Sequence, residues 1–512
     1  MPDPVPIGTG GVSRSDVMAV ARYDRQVVVG PDALEAVRRS HRTALGLIAA
    51  DRAVYGLSTG FGALADRYIE PESRAALQVG LVRSHAATVG QEVEPEVVRA
   101  MMLIRAATLA KGFSGIRTEV VTGLAGLLNH GIVPVVREHG SLGCSGDLAP
   151  LAHVALALIG EGEVVVGAGR RLPAAEALRS AGLSPLVLEA KEGLALTNGT
   201  DGILGLLTLA CCDSDSLLKT ADVAAAMSVE ALYGTDQAFR PELIGLRPHP
   251  GQAASAANLL DVLAGSGVVA SHREGDSRVQ DAYSLRCAPQ VLGGCRDTLD
   301  HAVTVVDREL ASAIDNPVVL PDGRVASCGN FHGAPLGYVA DFLAIALTDA
   351  ASISERRVDR HLDPARSHGL PAFLAADPGV DSGLMLAQYT AAALVSDCRR
   401  QATPASVDSI PTSAMQEDHV SMAWAAALKL RRVVGNLARV LAIEIMTASR
   451  AVELRTPHQP APATRAVLEG VRGQVPGIGP DRYLAPEVDL MTGLVTSGQI
   501  LAWAESVTGP LR

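Results

Sequence analysis

Aromatic side chains are scarce: Trp, Tyr and Phe together supply 3% of the 512 residues, although 48% of the chain is apolar. An interior built without aromatics points to Ala, Leu and Val packed between helices rather than to a β-sandwich. Long runs of Lys or Arg are also missing, and the net charge is -11. This balance offers no electrostatic footprint for nucleic acid or anionic lipid, which leaves small molecules as the expected partners. Cysteine is present but unpatterned, at Cys144, Cys211, Cys212, Cys287, Cys295, Cys328 and Cys398. An odd, scattered set without Cys-x-x-Cys spacing excludes a zinc site and a disulfide framework and reads as reduced thiols. No metal is expected. The opening residues lack a basic and apolar leader, and no uninterrupted apolar run reaches the roughly 20 residues of a membrane helix. A soluble cytoplasmic enzyme is the expectation.

Length alone suggests two to four domains, though large helical enzymes can be one extended body. Residues 1–14, rich in Pro, Gly and Ser, read as a loose tail. Helical patterns follow at 32–51, 77–84, 96–112 and 117–129, then a short β-hairpin within 162–188. Longer patterns run over 202–233, from 333 towards 360, over 382–400 and over 419–454, broken at Pro404 and Pro411. These predict a mainly α protein, an elongated bundle of long helices with a smaller loop-rich N-terminal region. The boundary is placed between residues 1–200 and 201–512.

The stretch His139-Gly-Ser-Leu-Gly-Cys-Ser-Gly-Asp-Leu-Ala-Pro150 carries the chemistry. One reading is a glycine-rich turn in which Asp147 caps the following apolar helix. A hydrolase nucleophile at Ser145 fails, because the elbow requires Gly two residues on and Asp147 stands there. A third reading joins the backbone nitrogen of Gly146 to the carbonyl carbon of Cys144. Loss of two waters then turns Ser145 into a methylidene, an electrophile made without an added cofactor. Each residue type suits this: Gly146 offers no obstruction, Ser145 has a hydroxyl to lose, and residue 144 contributes mainly its carbonyl.

Gly140-Ser-Leu-Gly-Cys-Ser-Gly-Asp-Leu-Ala-Pro-Leu-Ala-His153 resembles the signature of the aromatic amino acid ammonia-lyases and aminomutases. That family forms 4-methylidene-imidazol-5-one (MIO) from three consecutive residues, usually Ala-Ser-Gly. Cys144 is a departure that leaves the backbone chemistry intact. The resemblance extends over most of the chain. Tyr55-Gly-x-x-Thr-Gly-Phe-Gly62 is similar to the loop whose tyrosine is the family's catalytic base, with Ser58 where Asn is common. Read alone, Tyr55 is a packing residue. Ser84-His85 is similar to the pair that contacts the substrate ring in the histidine-acting members, whereas tyrosine lyases carry His-Leu and phenylalanine lyases Phe-Leu. Asn198 stands in Asn-Gly-Thr, a turn signal that the family places beside the substrate.

Gln280-Asp-x-Tyr283-Ser-x-Arg286 puts three polar side chains on neighbouring turns if the segment is helical. It reads as a solvated face or, by resemblance, as the motif whose arginine holds the substrate carboxylate, with Tyr283 near the amine. A guanidinium pairs bidentately with a carboxylate and stays charged, which suits that role. Phe331 and Met385, otherwise core residues, correspond to pocket positions. Ala334 and Met415 replace an acidic residue and an Asn that are common in relatives. Glu417, in an acidic stretch expected at a helix start, corresponds to the carboxylate that pairs with an imidazole NH. The resemblance implies elimination of ammonia from L-histidine to trans-urocanate, in a homotetramer with shared active sites. Tyrosine or phenylalanine lyases, 2,3-aminomutases and a non-catalytic helical binding protein are the alternatives.

Overall fold

The computed structural model describes residues 3–49 and 58–512. Two compact units emerge, one from Met1–Leu209, Val303–Asp341 and Pro404–Leu428, the other from Ala210–Ala302, Phe342–Thr403 and Lys429–Arg512. The first change of unit falls at 209/210 rather than at 200/201, and the first unit takes two later segments as well. The reason is continuity: Asp201–Ala231, Ala288–Leu310, Ala334–Leu362 and Ala423–Glu453 each have residues in both units. A helix is one hydrogen-bonded element, so a unit boundary that crosses it leaves no breaker in the sequence.

The long helices match the sequence pattern in kind and differ at their ends. The pattern over 419–454 begins only at Ala423, since 404–422 is irregular apart from one short turn. Glu417 therefore sits in a loop and not at a helix start. The expected tail is ordered too. Val5–Ile7 pairs in parallel with Val27–Val29, burying Val5 and Ile7, and Ser13 caps Arg14–Ala21 in a reciprocal box with Asp16. Alternation of Val5, Pro6 and Ile7 was a strand signal hidden by flanking Pro and Gly.

In the first unit Pro95–Ala110 is buried along 14 of its 16 residues, with Arg14–Ala21, Pro31–Ala49 and Thr118–Asn129 packed against it. A helix buried on every side lies at the centre of a core, and its two buried arginines, Arg99 and Arg105, are bonded there. The hairpin appears as Glu163–Val166 paired with Arg170–Pro173, joined by Val133–Pro134. Val89–Glu92 pairs with Arg137–His139, the strand that leads directly into the glycine-rich loop.

In the second unit the interior is organised by charge. Arg357 and Glu444, both fully buried, pair through Nε and Oε1 at 2.5 Å and through Nη2 and Oε2 at 2.8 Å. Glu444 also accepts from Ser228 Oγ and Ser354 Oγ, and Arg357 donates to the carbonyl of Ser284. Three long helices and the turn at residues 283–286 are thus held in register. Among the described residues one helix, Ala334–Leu362, is long and apolar enough to cross a membrane, and 56% of its most apolar window is buried inside the protein.

Removing one partner of a buried pair leaves the other charge uncompensated. Glu444→Ala is expected to cost roughly 3–5 kcal/mol, read as a lower urea midpoint; Glu444→Gln, which still accepts from the serines, should cost less.

Candidate active site

The loop from Gly140 to Asp147 is bent and clamped from four sides. Gly146 has φ +76°, and a Cβ there would collide with the carbonyl of Gly199. That carbonyl accepts the amide of Asp147 at 2.6 Å. Ser421 Oγ donates to Gly143 O at 2.8 Å, Met422 N donates to Leu142 O at 2.9 Å, and Trp424 Nε1 donates to Glu138 O at 2.6 Å. Gly333 N reaches Gly143 O at 3.2 Å.

Asp147 occupies the N-cap position of Leu148–Leu158, yet its side chain makes no capping bond. The carboxylate instead accepts Ile203 N at 2.8 Å, in the first turn of Asp201–Ala231, and Ser141 Oγ at 2.9 Å. It ties the loop to a second helix, not to its own. Burial pushes this carboxyl up to about 7, against the bonds from Ile203 and Ser141 that hold it down.

Beside the loop lies a cavity of about 730 Å³ whose walls include Phe61, Tyr68, Ser84, His85, Ser145, Asn198 and Glu417. All belong to the first unit. The volume suits a small-molecule ligand. Glu417 faces the loop, accepting Ser145 Oγ at 3.3 Å on Oε1, and Cys144 Sγ at 3.2 Å and Thr412 Oγ1 at 2.8 Å on Oε2. Burial, and then the charge of Glu417, push the Cys144 thiol up to about 12, so it is a neutral donor rather than a nucleophile. Ser84 Oγ lies 3.1 Å from His85 Nδ1. Burial, which favours the neutral ring, holds the imidazole of His85 below its ordinary range, against the hydrogen bond to the Leu81 backbone and the pull of Glu417.

Asn198 is fixed through both ends. Its side-chain Nδ2 donates to Asp315 Oδ1 and to the carbonyl of Asn316, and its backbone carbonyl accepts Arg105 Nη1 at 3.0 Å. Asp315 pairs with the buried Lys191 at 2.6 Å, and Arg105 with the buried Asp201 at 2.9 Å. Sequence reading passed over these four charges and over Ser141, Thr412, Ser421 and Trp424. A signal existed for Arg105, a lone cation in the apolar run from Met101 to Ala110. Polar residues in the 404–422 loop carried none.

The remaining sequence candidates lie elsewhere. Tyr55 falls outside the described residues, although Gly60, Phe61 and Gly62 of the same motif border the cavity. Phe331 is half-buried and is not among the cavity walls, but Gly333, two residues on, bonds the loop. Gln280, Tyr283, Arg286 and Met385 belong to the second unit. Only Tyr283–Arg286 is helical there, so Gln280 does not share a helix with the other two. An Asp276–Arg278 ion pair and the bonds of Arg278 to Leu232 and Tyr233 carbonyls bend the preceding residues instead. Arg286 stacks over the Tyr283 ring at 4.7 Å and donates to Asp281 O, leaving Tyr283 72% exposed.

The pattern that describes aromatic amino acid lyases matches residues 12–473. This chain belongs to the aromatic amino acid lyase family. Among its relatives, histidine ammonia-lyase of Streptomyces coelicolor is 58% identical, with 99% of each chain covered. That of Symbiobacterium thermophilum is 50% identical, with 97% of each covered. Tyrosine aminomutase of Streptomyces globisporus superposes with a TM-score of 0.94 at 37% identity, covering 100% of both chains. Histidine ammonia-lyase of Trypanosoma cruzi gives 0.91, also at 37% identity, over 99% of this chain and 96% of that one. The mainly helical lyase fold expected from the sequence is the one observed.

Two predictions test the loop of this family member. Gly146→Ala forces a side chain into the Gly199 carbonyl at a left-handed position; intact-mass analysis should find the variant folded without the loss of two waters, or not folded. Asp147 has a raised carboxyl in the fold, so its contribution to stability is present below its unfolded value of about 3.9 and is lost as pH rises through about 7. Asp147→Asn removes that loss, and the melting temperature of the variant should gain on the parent's from pH 5 to pH 8.

Proposed function

We propose that the protein eliminates ammonia from L-histidine to give trans-urocanate, without oxidation and without an external cofactor. The observation that carries this reading is the carboxylate of Glu417 in one cavity with Ser84-His85 and the Cys144-Ser145-Gly146 loop. A carboxylate there can accept an imidazole N–H, and neither a phenol nor a phenyl ring needs it in that form. The names of the full-length relatives support the same substrate.

The loop residues fit a self-made MIO group: Gly146 is already in the left-handed region that only a residue without Cβ tolerates here, and Ser145 opens on the cavity. Formed from Cys144, Ser145 and Gly146, MIO would supply an electrophilic carbon that turns the substrate amine into a leaving group. The chain's own residues do the rest. His85 and Glu417 orient the imidazole, and Asn198, its amide held by Asp315 and the Asn316 carbonyl, offers a fixed amide wall. Tyr55 is assigned as the base that takes the β-proton. Arg286 holds the substrate carboxylate, Tyr283 and Gln280 lie with the amine, and Met385 and Phe331 supply apolar wall.

Gln280, Tyr283, Arg286 and Met385 are brought in by assembly. The exposed Tyr283, together with Tyr338, Phe342 and Ile345 on one face of Ala334–Leu362, supports a homotetramer whose sites draw on several subunits. Tyr338, Phe342 and Ile345 recur at helical spacing, a pattern that suits a helix of a second copy better than lipid or nucleic acid. None of the seven cysteines is joined in a disulfide among the described residues, which supports a cytoplasmic working place.

Ammonia release with product identification on L-histidine, L-tyrosine and L-phenylalanine tests the proposal. Urocanate from histidine alone is expected. Turnover of tyrosine or phenylalanine alone would move the protein to another branch of the family. Ser145→Ala should lower kcat at least about 10³-fold in a folded protein, the scale set by removing a covalent catalytic group; full activity would overturn the MIO assignment.

A further inference from the structure

Glu417 is held asymmetrically. Oε2 has two donors, Thr412 Oγ1 at 2.8 Å and Cys144 Sγ at 3.2 Å, whereas Oε1 is met by Ser145 Oγ at 3.3 Å. The backbone of Glu417 is also pinned, because Thr412 N donates to its carbonyl and its own N–H donates to that of Thr412. We propose that Cys144 and Thr412 are positioning residues that hold Oε2 of Glu417, so that maturation of the loop unloads Oε1 alone and turns it to the imidazole. The inference rests on the histidine reading and adds a purpose for the residue by which this loop departs from Ala-Ser-Gly.

The chemistry of ring formation separates the donors. Closing the ring joins Gly146 N to the Cys144 carbonyl carbon and expels that oxygen with the two amide hydrogens of Ser145 and Gly146 as the first water. The second water carries off Ser145 Oγ with its own hydrogen and the Cα hydrogen, leaving a Cα=Cβ double bond. Atoms and electrons balance with no oxidant. The donor to Oε1 departs with that second water, while Cys144 Sγ and Thr412 Oγ1 take no part in either step. Burial keeps the thiol neutral, pushed up to about 12, and so able to donate throughout the working pH range. An alanine in its place would leave Oε2 with the Thr412 bond alone, and the carboxylate free to rotate.

A double-mutant cycle with a binding readout tests this. Full-length protein, checked by intact mass for loss of two waters, is titrated with urocanate by calorimetry. Cys144→Ala and Thr412→Val are each expected to weaken binding about tenfold, the scale of one hydrogen bond to a charged acceptor. Cys144→Ser, which keeps a donor, should restore binding to within about threefold. In a Glu417→Gln background Cys144→Ala should change binding less than about twofold, since residues acting on one group are not additive. Equal losses in both backgrounds, or parental binding by Cys144→Ala, would overturn the inference. Should Cys144→Ala fail to fold or mature, the Thr412→Val arm of the cycle decides by the same criterion. If the parent neither binds urocanate nor releases ammonia from L-histidine, the histidine reading fails and takes the inference with it; urocanate binding with additive variants removes the inference alone.

Discussion

The carbonyl of Gly199 and the carboxylate of Asp147 are where the first unit is joined. Gly199 O takes the amide of Asp147, and Asp147 takes the amide of Ile203, so the glycine-rich loop and the start of Asp201–Ala231 hold one another in a closed ring of hydrogen bonds. Nothing larger than hydrogen fits at Gly146, and Gly202 is closely faced by Trp424, Met101 and Asp147. The loop is closely packed at Gly146 while Ser145 lines the cavity. The bonds that hold it come partly from regular elements, Ile203 in the Asp201–Ala231 helix and Trp424 in Ala423–Glu453, and partly from the irregular residues beside them, Gly199, Ser421 and Met422.

Around that ring the protein places charge where composition alone would put only Ala and Leu. Arg105, Asp201, Lys191 and Asp315 are all buried, and each is spent on a backbone or side-chain atom near Asn198. Burial pulls Lys191 down and Asp201 up, so the interior resists both charges and only their pairing keeps them there. An apolar core of equal volume could be as stable. What it could not do is fix an amide to a single orientation, because apolar contacts are not directional.

This explains what could be read in advance. Helix positions follow hydrophobic period, a local property, and Ala334–Leu362 and Thr118–Asn129 were legible to within a few residues. Cys144-Ser145-Gly146 was legible because its chemistry is contiguous. The Glu417 environment was not: its partners come from residues 144, 145 and 412, joined only by tertiary folding. The helix start expected there failed because irregular backbone, paired through Thr412, occupies 404–422. Val5–Ile7 failed for the reverse reason, since Pro and Gly neighbours masked a strand that needs only three residues and one partner. For Gln280, Tyr283 and Arg286 the spacing was real, but the helix begins only at Tyr283, after a non-helical stretch in which Asp276 and Arg278 are paired.

Backbone similarity to an aminomutase is at least as high as to a histidine ammonia-lyase, so the scaffold does not select the ring or the fate of the amine. Selection falls to the few groups that face the cavity. Of these, His85 is neutral and Glu417 is an acceptor with one oxygen occupied by fixed donors and the other aimed at Ser145. An imidazole can donate through one nitrogen and accept through the other, which matches an arrangement offering both roles; a phenyl ring would leave the half-buried acceptor unmet. A phenol can donate, yet places its hydrogen at the far end of a longer ring. On the reading proposed above, discrimination lies in where the carboxylate oxygen is held, and the groups that hold it matter as much as the carboxylate.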